Sequence, residues 1–256
     1  MVIIKTEEEI KKMAVVNRMV AEVLCIIEEN AKEGVTTEYL NELAEKEAKK
    51  RNAHPAFKGY NGFPKALCVS INEEVVHGIP SRKCKLHKGD IVSLDFGLIF
   101  DGFYGDSAIT VPIAKISDEK KRLLRVTKEA LSAGIEQAKA GNFLFDISKV
   151  VEKTVHKGGF SVVRNFTGHG IGRNLHEDPE VPNYVPSFST RGLPLVVGMT
   201  IAIEPMVNVG THKIKIKKDG WTAVTADGLP SAHFEHTIAI TENGPIILSC
   251  CEDNNG

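Results

Sequence analysis

Two stretches of this chain resemble each other, and each carries an acid into an apolar strand pattern. Gly89-Asp-Ile-Val-Ser-Leu-Asp95 and Gly198-Met-Thr-Ile-Ala-Ile-Glu204 share a glycine, alternating apolar residues and a carboxylate at the same offset. A second acid leads a strand after each, in Asp106-Ser-Ala-Ile109 and Glu235-His-Thr-Ile238. A pair of helices is expected before the first acid of each half. Two such halves facing each other would bring four carboxylates to one place. A single acid of this kind is ordinarily a strand-end residue in solvent. Four at matching places are harder to assign that way, because an ionised carboxylate in apolar surroundings is costly unless paired or bound to metal.

The periodicities supply the rest of the frame. Thr6 and Glu9 form a capping box, and apolar residues from Ile10 to Ile27 recur at helical spacing, with Gly34 ending the run. A second helix starts at Thr36 or Thr37, and its charged stretch Glu45 to Arg51 reads as a solvated end. Others start at Ser117/Asp118, ending at Gly141, and near Asp146, ending at Gly158. Val92 to Leu98 alternates as a strand, Asp101-Gly102 is a hairpin turn, and Asp106 to Val111 is the partner strand. Phe160–Phe166, Met199–Ile203, Lys213–Lys217 and His233–Thr241 are further strands, with Asp219-Gly220 as a turn. No linker or composition break divides the chain, so a single domain over 1–256 is expected.

Composition narrows the function classes. The 256 residues carry 32 Lys+Arg against 33 Asp+Glu, a net charge of −1. That balance offers no broad electrostatic grip on DNA or a membrane surface. The five cysteines are odd in number and lack a CxxC pair, which argues against a disulfide framework or thiolate zinc site. Neither a signal peptide nor a membrane span is legible, so a cytoplasmic protein with reduced thiols is expected.

His77, His169 and His176 sit among glycines and prolines, in Val-His-Gly-Ile-Pro, Gly-His-Gly-Ile-Gly and Leu-His-Glu-Asp-Pro. Loop histidines in such settings suit ligand or acid–base roles. His54, His87, His212, His233 and His236 read as ordinary hydrogen-bonded residues, and His156 as a helix-end complement. Oxygen-rich ligands with one imidazole suit Mn, Fe(II), Co or a co-catalytic Zn pair. Such a pair hydrolyses amides or phosphoesters. Few basic residues surround the motifs, so amide hydrolysis is preferred.

Together these motifs resemble the type I methionine aminopeptidases, over nearly the whole chain. The resemblance rests on Gly59-Tyr-Asn-Gly-Phe-Pro-Lys, His77-Gly-Ile-Pro, Asp101-Gly-Phe-Tyr-Gly-Asp106, Gly168-His-Gly-Ile-Gly, His176-Glu-Asp-Pro, Ile203-Glu-Pro-Met, Asp219-Gly-Trp and Ala232-His-Phe-Glu-His. It implies an α+β pita-bread fold: two pseudo-two-fold halves, with a curved antiparallel sheet covered by helices. It implies a single catalytic domain with a short helical lead and no extra N-terminal domain.

The resemblance also implies the site. Asp95 would hold one divalent metal ion, His169 and Glu204 the other, and Asp106 and Glu235 would bridge both. A bridging hydroxide would attack the carbonyl after an N-terminal methionine, and Glu204 would shuttle the proton. His176 would bind the scissile carbonyl and His77 the substrate backbone. Phe57, Tyr60, Phe63, Cys68 and Trp221 would form the methionine pocket, although ordinary core packing competes for Phe57. A small second residue would be required. Phe57 and Leu175 depart from the residues usual at their positions, which bears on pocket shape. Asn72 and Ser231 are candidates for a monovalent cation site.

The partners implied are N-termini of nascent polypeptides, met by a monomer. The basic runs Lys46–Arg51, Lys120–Arg125 and Lys213–Lys218 are candidates for docking near the ribosome, a solvated face being the simpler role. Two rivals remain: an Xaa-Pro peptidase, which shares the Asp–Asp–His–Glu–Glu order, and a non-catalytic binding protein of the same fold.

Overall fold

The structure is a computed structural model that describes residues 1–187 and 191–250. Helix α1 spans Glu7–Asn30, α2 Thr37–Lys50, α3 Asp118–Gln137 and α4 Leu144–Lys157. The capping box at Thr6 forms: its hydroxyl accepts the Glu9 N–H and the Glu9 carboxylate accepts the Thr6 N–H. Thr36 and Ser117 cap α2 and α3 likewise. Helix α4 starts before Asp146, because that carboxylate reaches back to accept the Phe143 N–H at 2.9 Å. Helices α1 and α3 stop short of Gly34 and Gly141, at Asn30 and Gln137. Both glycines lie in the following turns at positive φ. The end of α2 is less solvated than its charge suggests. Glu47 is buried there, and salt-bridged hydrogen bonds from Lys50 and Arg51 hold its carboxyl below the usual range.

The strands are β1 His54–Pro55, β2 Leu67–Ile71, β3 Glu74–Val76, β4 Ile91–Phe100, β5 Phe103–Pro112, β6 Ser161–Val162, β7 Gly168–Gly170, β8 Glu177–Val181, β9 Thr200–Ile203, β10 Met206–Asn208, β11 Ile214–Ile216, β12 Ala223–Thr225, β13 Ser231–His233, β14 Glu235–Thr241 and β15 Gly244–Ile247. Nine form one sheet in the order β1-β4-β5-β14-β9-β7-β8, with β2 paired to β4 and β15 to β14. Its pairings are antiparallel. The expected 160–166 strand shrinks to Ser161–Val162, which pairs with β10 in a separate small sheet. The expected 233–241 strand breaks at Phe234, which turns into the α3–α4 core.

The internal repeat is visible in the backbone. Gly89 and Gly198 both take positive φ just before a strand. Gly89 N–H donates to Ile113 O near the end of β5, and Gly198 N–H to Ile240 O in β14. Strands β5 and β14 lie side by side at the junction of the two halves. Val92, Leu94, Phe96 and Leu98 of β4 pack in one core with Met13, Val16 and Val20 of α1. Ile201, Ile203, Ile238 and Ile240 pack in a second core with Leu123, Leu131, Ile147 and Val151 of α3 and α4. By the two-residue alternation of strands, the positions between these face the opposite side of the sheet.

The residues before α1 lock onto the second half. Lys5 N–H donates to Gly198 O, and the buried Lys5 ammonium pairs with the buried Glu177 carboxylate. Glu177 Oε1 also accepts the Arg173 and Asn174 N–H groups, fixing the turn before His176. Gly172 leaves room for this pair: a Cβ there would lie 2.4 Å from Lys5 Cε and 2.9 Å from Glu177 Oε1. Lys5→Met strands a buried carboxylate, and urea unfolding is expected to show a loss of about 3–5 kcal/mol. Adding Glu177→Gln to that variant restores part of the loss.

Candidate metal centre and its cleft

Strand register alone assembles the acids. Asp95 on β4 lies opposite Ala108 on β5, which lies opposite Glu235 on β14. Asp106, two residues before Ala108, shares its face. Glu204 follows β9, where Ile203 pairs with His236, so it continues the row beside Glu235. His169 on β7 pairs with Ala202, two residues before Glu204. All five predicted ligands therefore meet on the face turned away from the helices.

The electrostatics suit a cation there. Asp106, His169 and Glu235 are buried. Burial pushes the Asp95 carboxyl up to about 7 and that of Glu204 up to about 8. Burial, reinforced by neighbouring carboxylates, raises Asp106 and Glu235 well above the usual range. Asp95 Oδ1, Asp106 Oδ1 and Glu235 Oε1 are buried without a hydrogen-bond partner. Burial holds His169 neutral, its pKa down to about 3. A proton on its Nδ1 donates to Gly170 O at 2.9 Å, which turns the Nε2 lone pair toward the acids. That nitrogen lies 3.6 Å from Glu204 Oε1 and 3.8 Å from Asp106 Oδ2. Ligand atoms of Asp106, His169 and Glu235 all lie within 4.8 Å of one another. Unpartnered buried oxygens beside a neutral imidazole fit divalent cations.

The backbones under two of the acids are held from both sides. Asn17, fully buried in α1, accepts the Asp106 N–H with its side-chain oxygen at 3.2 Å and donates to Met13 O. Thr237 donates to Asp106 O, and Ser107 to Glu235 O. Gly105 allows α1 this close approach, since a Cβ there would meet α1 backbone at 3.1 Å.

A cavity of about 190 Å³ opens beside the acids. Every predicted pocket residue lines it: Phe57, Tyr60, Phe63, Cys68 and Trp221, with His77 and His176. Phe57 packs over Gly97, where a Cβ would lie 2.8 Å from its ring. The buried Leu175 adds to the wall. Burial, then Asp95, Asp106 and Glu235, keep the Cys68 thiol protonated, so it serves as apolar wall. Asp219 Oδ1 accepts the Trp221 and Thr222 N–H groups at 2.9 Å, which orients Trp221 edge-on to Phe63.

His77 takes a left-handed φ of 60° and stacks edge-on to Phe166, while burial holds its ring neutral with a pKa of about 4. Backbone strain of this kind clusters at functional sites. His176 Nδ1 lies 2.8 Å from the Tyr60 hydroxyl. Burial lowers the His176 pKa and raises that of Tyr60, so the phenol donates and the imidazole accepts. Its Nε2 then carries the proton.

Other expectations fall elsewhere. Asn72 O accepts the Ser231 N–H, while Asn72 Oδ1 already accepts from the Lys120 ammonium at 2.7 Å. Within the basic runs, Lys50 and Arg51 pair with Glu47, Arg125 with Glu129 and Lys217 with Glu74. Among the described residues no helix is long and apolar enough to cross a membrane. Asn17, Asn61, Phe166 and His233 join the site without having been singled out. For His233 the readable signal was its two-residue spacing from Glu235.

Comparison with known proteins agrees with this geometry. The model of metallopeptidase family M24 matches residues 11–242. A methionine aminopeptidase of Clostridium acetobutylicum is 52% identical over 98% of this chain and 100% of its own. The crystal structure of methionine aminopeptidase from Thermotoga maritima superposes with a TM-score of 0.95 at 46% identity, covering 98% of this chain and 100% of that one. The prolidase of Pyrococcus horikoshii shares the pita-bread fold, with a TM-score of 0.79 at 24% identity over 98% of this chain and 65% of that one.

At pH 7 the metal-free cluster retains protons that a divalent ion must displace. Calorimetric titration of chelated protein with Mn(II) is expected to release protons, its apparent enthalpy varying with the buffer. Affinity should rise with pH up to about 8. A titration without proton release would mean the carboxyls are already ionised.

Proposed function

This chain belongs to the methionine aminopeptidases of metallopeptidase family M24, and we propose how its residues remove the initiator methionine from nascent polypeptides. The observation that carries the reading is the convergence of four carboxylates, three of them with unpartnered buried oxygens, on the floor of an aromatic cavity sized for one side chain. Asp95, Asp106, His169, Glu204 and Glu235 would hold two divalent ions. When bound, such ions supply Lewis acidity and bring the pKa of a water toward 7.

The chain's own groups do the rest. Phe57, Tyr60, Phe63, Cys68, Leu175 and Trp221 take the thioether side chain, for which a sulfur and aromatic lining is suited. His176 Nε2–H, set by Tyr60, donates to the scissile carbonyl oxygen and to the charge that develops on it. His77, neutral and held by its strained backbone, accepts or donates to the substrate backbone beyond the cleaved bond. Glu204, beside the attacking water, would move its proton to the leaving amine. A narrow space beyond the scissile bond would admit only small second residues.

Both halves of the chain contribute acids to one site, which supports a single catalytic domain. Likeness to prolidase is one of fold alone.

Release of Met from Met-Gly-Met-Met is expected, with no cleavage of Xaa-Pro peptides; the reverse preference would overturn the reading. Asp106→Ala and Glu235→Ala should abolish turnover and metal retention together. His176→Ala should lower kcat about 10²–10³-fold while metal content stays near that of the parent. Tyr60→Phe should give a smaller fall in kcat with KM little changed.

A further inference from the structure

His233 lies deepest among the histidines of the site, at 1% exposure, and neither ring nitrogen has a hydrogen-bond partner. An imidazole buried and unsatisfied is costly, since both nitrogens forgo water for nothing. Its position is imposed by the strand. His233 N–H donates to Thr110 Oγ1 at 2.9 Å, and Thr110 Oγ1 donates to His233 O at 2.6 Å, pinning the residue to β5. Phe234 turns away into the α3–α4 core, so His233 and Glu235 share one face.

Glu204 stands between two imidazoles. Its Oε1 lies 3.6 Å from His169 Nε2 and its Oε2 lies 3.5 Å from His233 Nε2. Neither approach is a hydrogen bond. Two ligand atoms sharing an ion at bonds of 2.0–2.2 Å lie roughly 3.0–3.4 Å apart, close to both spacings. Ligand atoms of Glu204, His233 and Glu235 all lie within 4.8 Å of one another, as do those of Asp106, His169 and Glu235.

We propose that His233 is a sixth protein ligand of the metal centre, its imidazole set beside Glu204 Oε2 and Glu235 as that of His169 is set beside Glu204 Oε1 and Asp106. The proposal rests on the dinuclear reading above. The centre then has two nitrogen donors, with Glu204 between them.

The test uses the full chain labelled with ring-¹⁵N histidine, chelated and then loaded with two equivalents of Zn(II). Two imidazole nitrogens should move to coordinated shifts in the wild type. One of them should vanish in His233→Gln. Chelator competition on that variant should show one of the two ions held about 10–100-fold more weakly and the other unchanged. Two bound ions with a single coordinated imidazole in the wild type would overturn the role of His233 alone. Failure to bind any ion would overturn it together with the proposed function. Because the wild-type spectrum decides the count, the outcome stands even if His233→Gln does not fold.

Discussion

The shared burial of Asp95, Asp106, Glu204 and Glu235 is the constraint around which the rest of the molecule is arranged. Burial raises the pKa of all four, and for Asp106 and Glu235 each neighbouring charge adds to the effect. A fold left to its own preferences would separate them. Here antiparallel register forbids separation, since Asp95 and Glu235 face the same residue, Ala108, from two sides. Asn17, Ser107 and Thr237 then fix the backbone beneath the acids, so that the carboxylates cannot relax by moving the strands. The cluster is stable only as a half of something, and a divalent cation is the complement its unpartnered oxygens describe.

The histidines answer the acids by staying neutral. Burial alone would leave their tautomers open, but local partners close that choice. Gly170 O takes the Nδ1 proton of His169, and Tyr60 supplies a proton to Nδ1 of His176. One ring thereby offers a lone pair and the other a donor, although both belong to the same few turns of chain and their centroids are 4.3 Å apart. The pairing of a ligand with an adjacent hydrogen-bond donor follows from two second partners rather than from the histidines themselves.

Much of this was legible in the sequence because strands write their faces at every second residue. Asp95, Asp106, Glu204 and Glu235 stood out as acids in alternating apolar patterns, and all of them lie on one face as that alternation requires. The cavity wall was legible only through resemblance, since Tyr60, Phe63 and Trp221 come from loops without periodicity. Asn17 escaped notice because a polar residue within a helix reads as exposed, and only tertiary approach at Gly105 reveals that it is buried. His233 looked ordinary because its meaning depends on Glu204, which follows a different strand, β9. The strand expected over 160–166 shortened because only Ser161 and Val162 find a partner, in β10, outside the main sheet.

The Lys5–Glu177 lock has a kinetic side. Its partners are 172 positions apart in sequence. The segment before α1 is made ahead of these elements, yet its buried counterpart follows only after β4, β5 and all four helices. The entropy of closing so long a loop grows only slowly with length, but contacts of such separation form late and slow folding. The turn that presents His176 therefore gains its anchor only when residues made much earlier return to it.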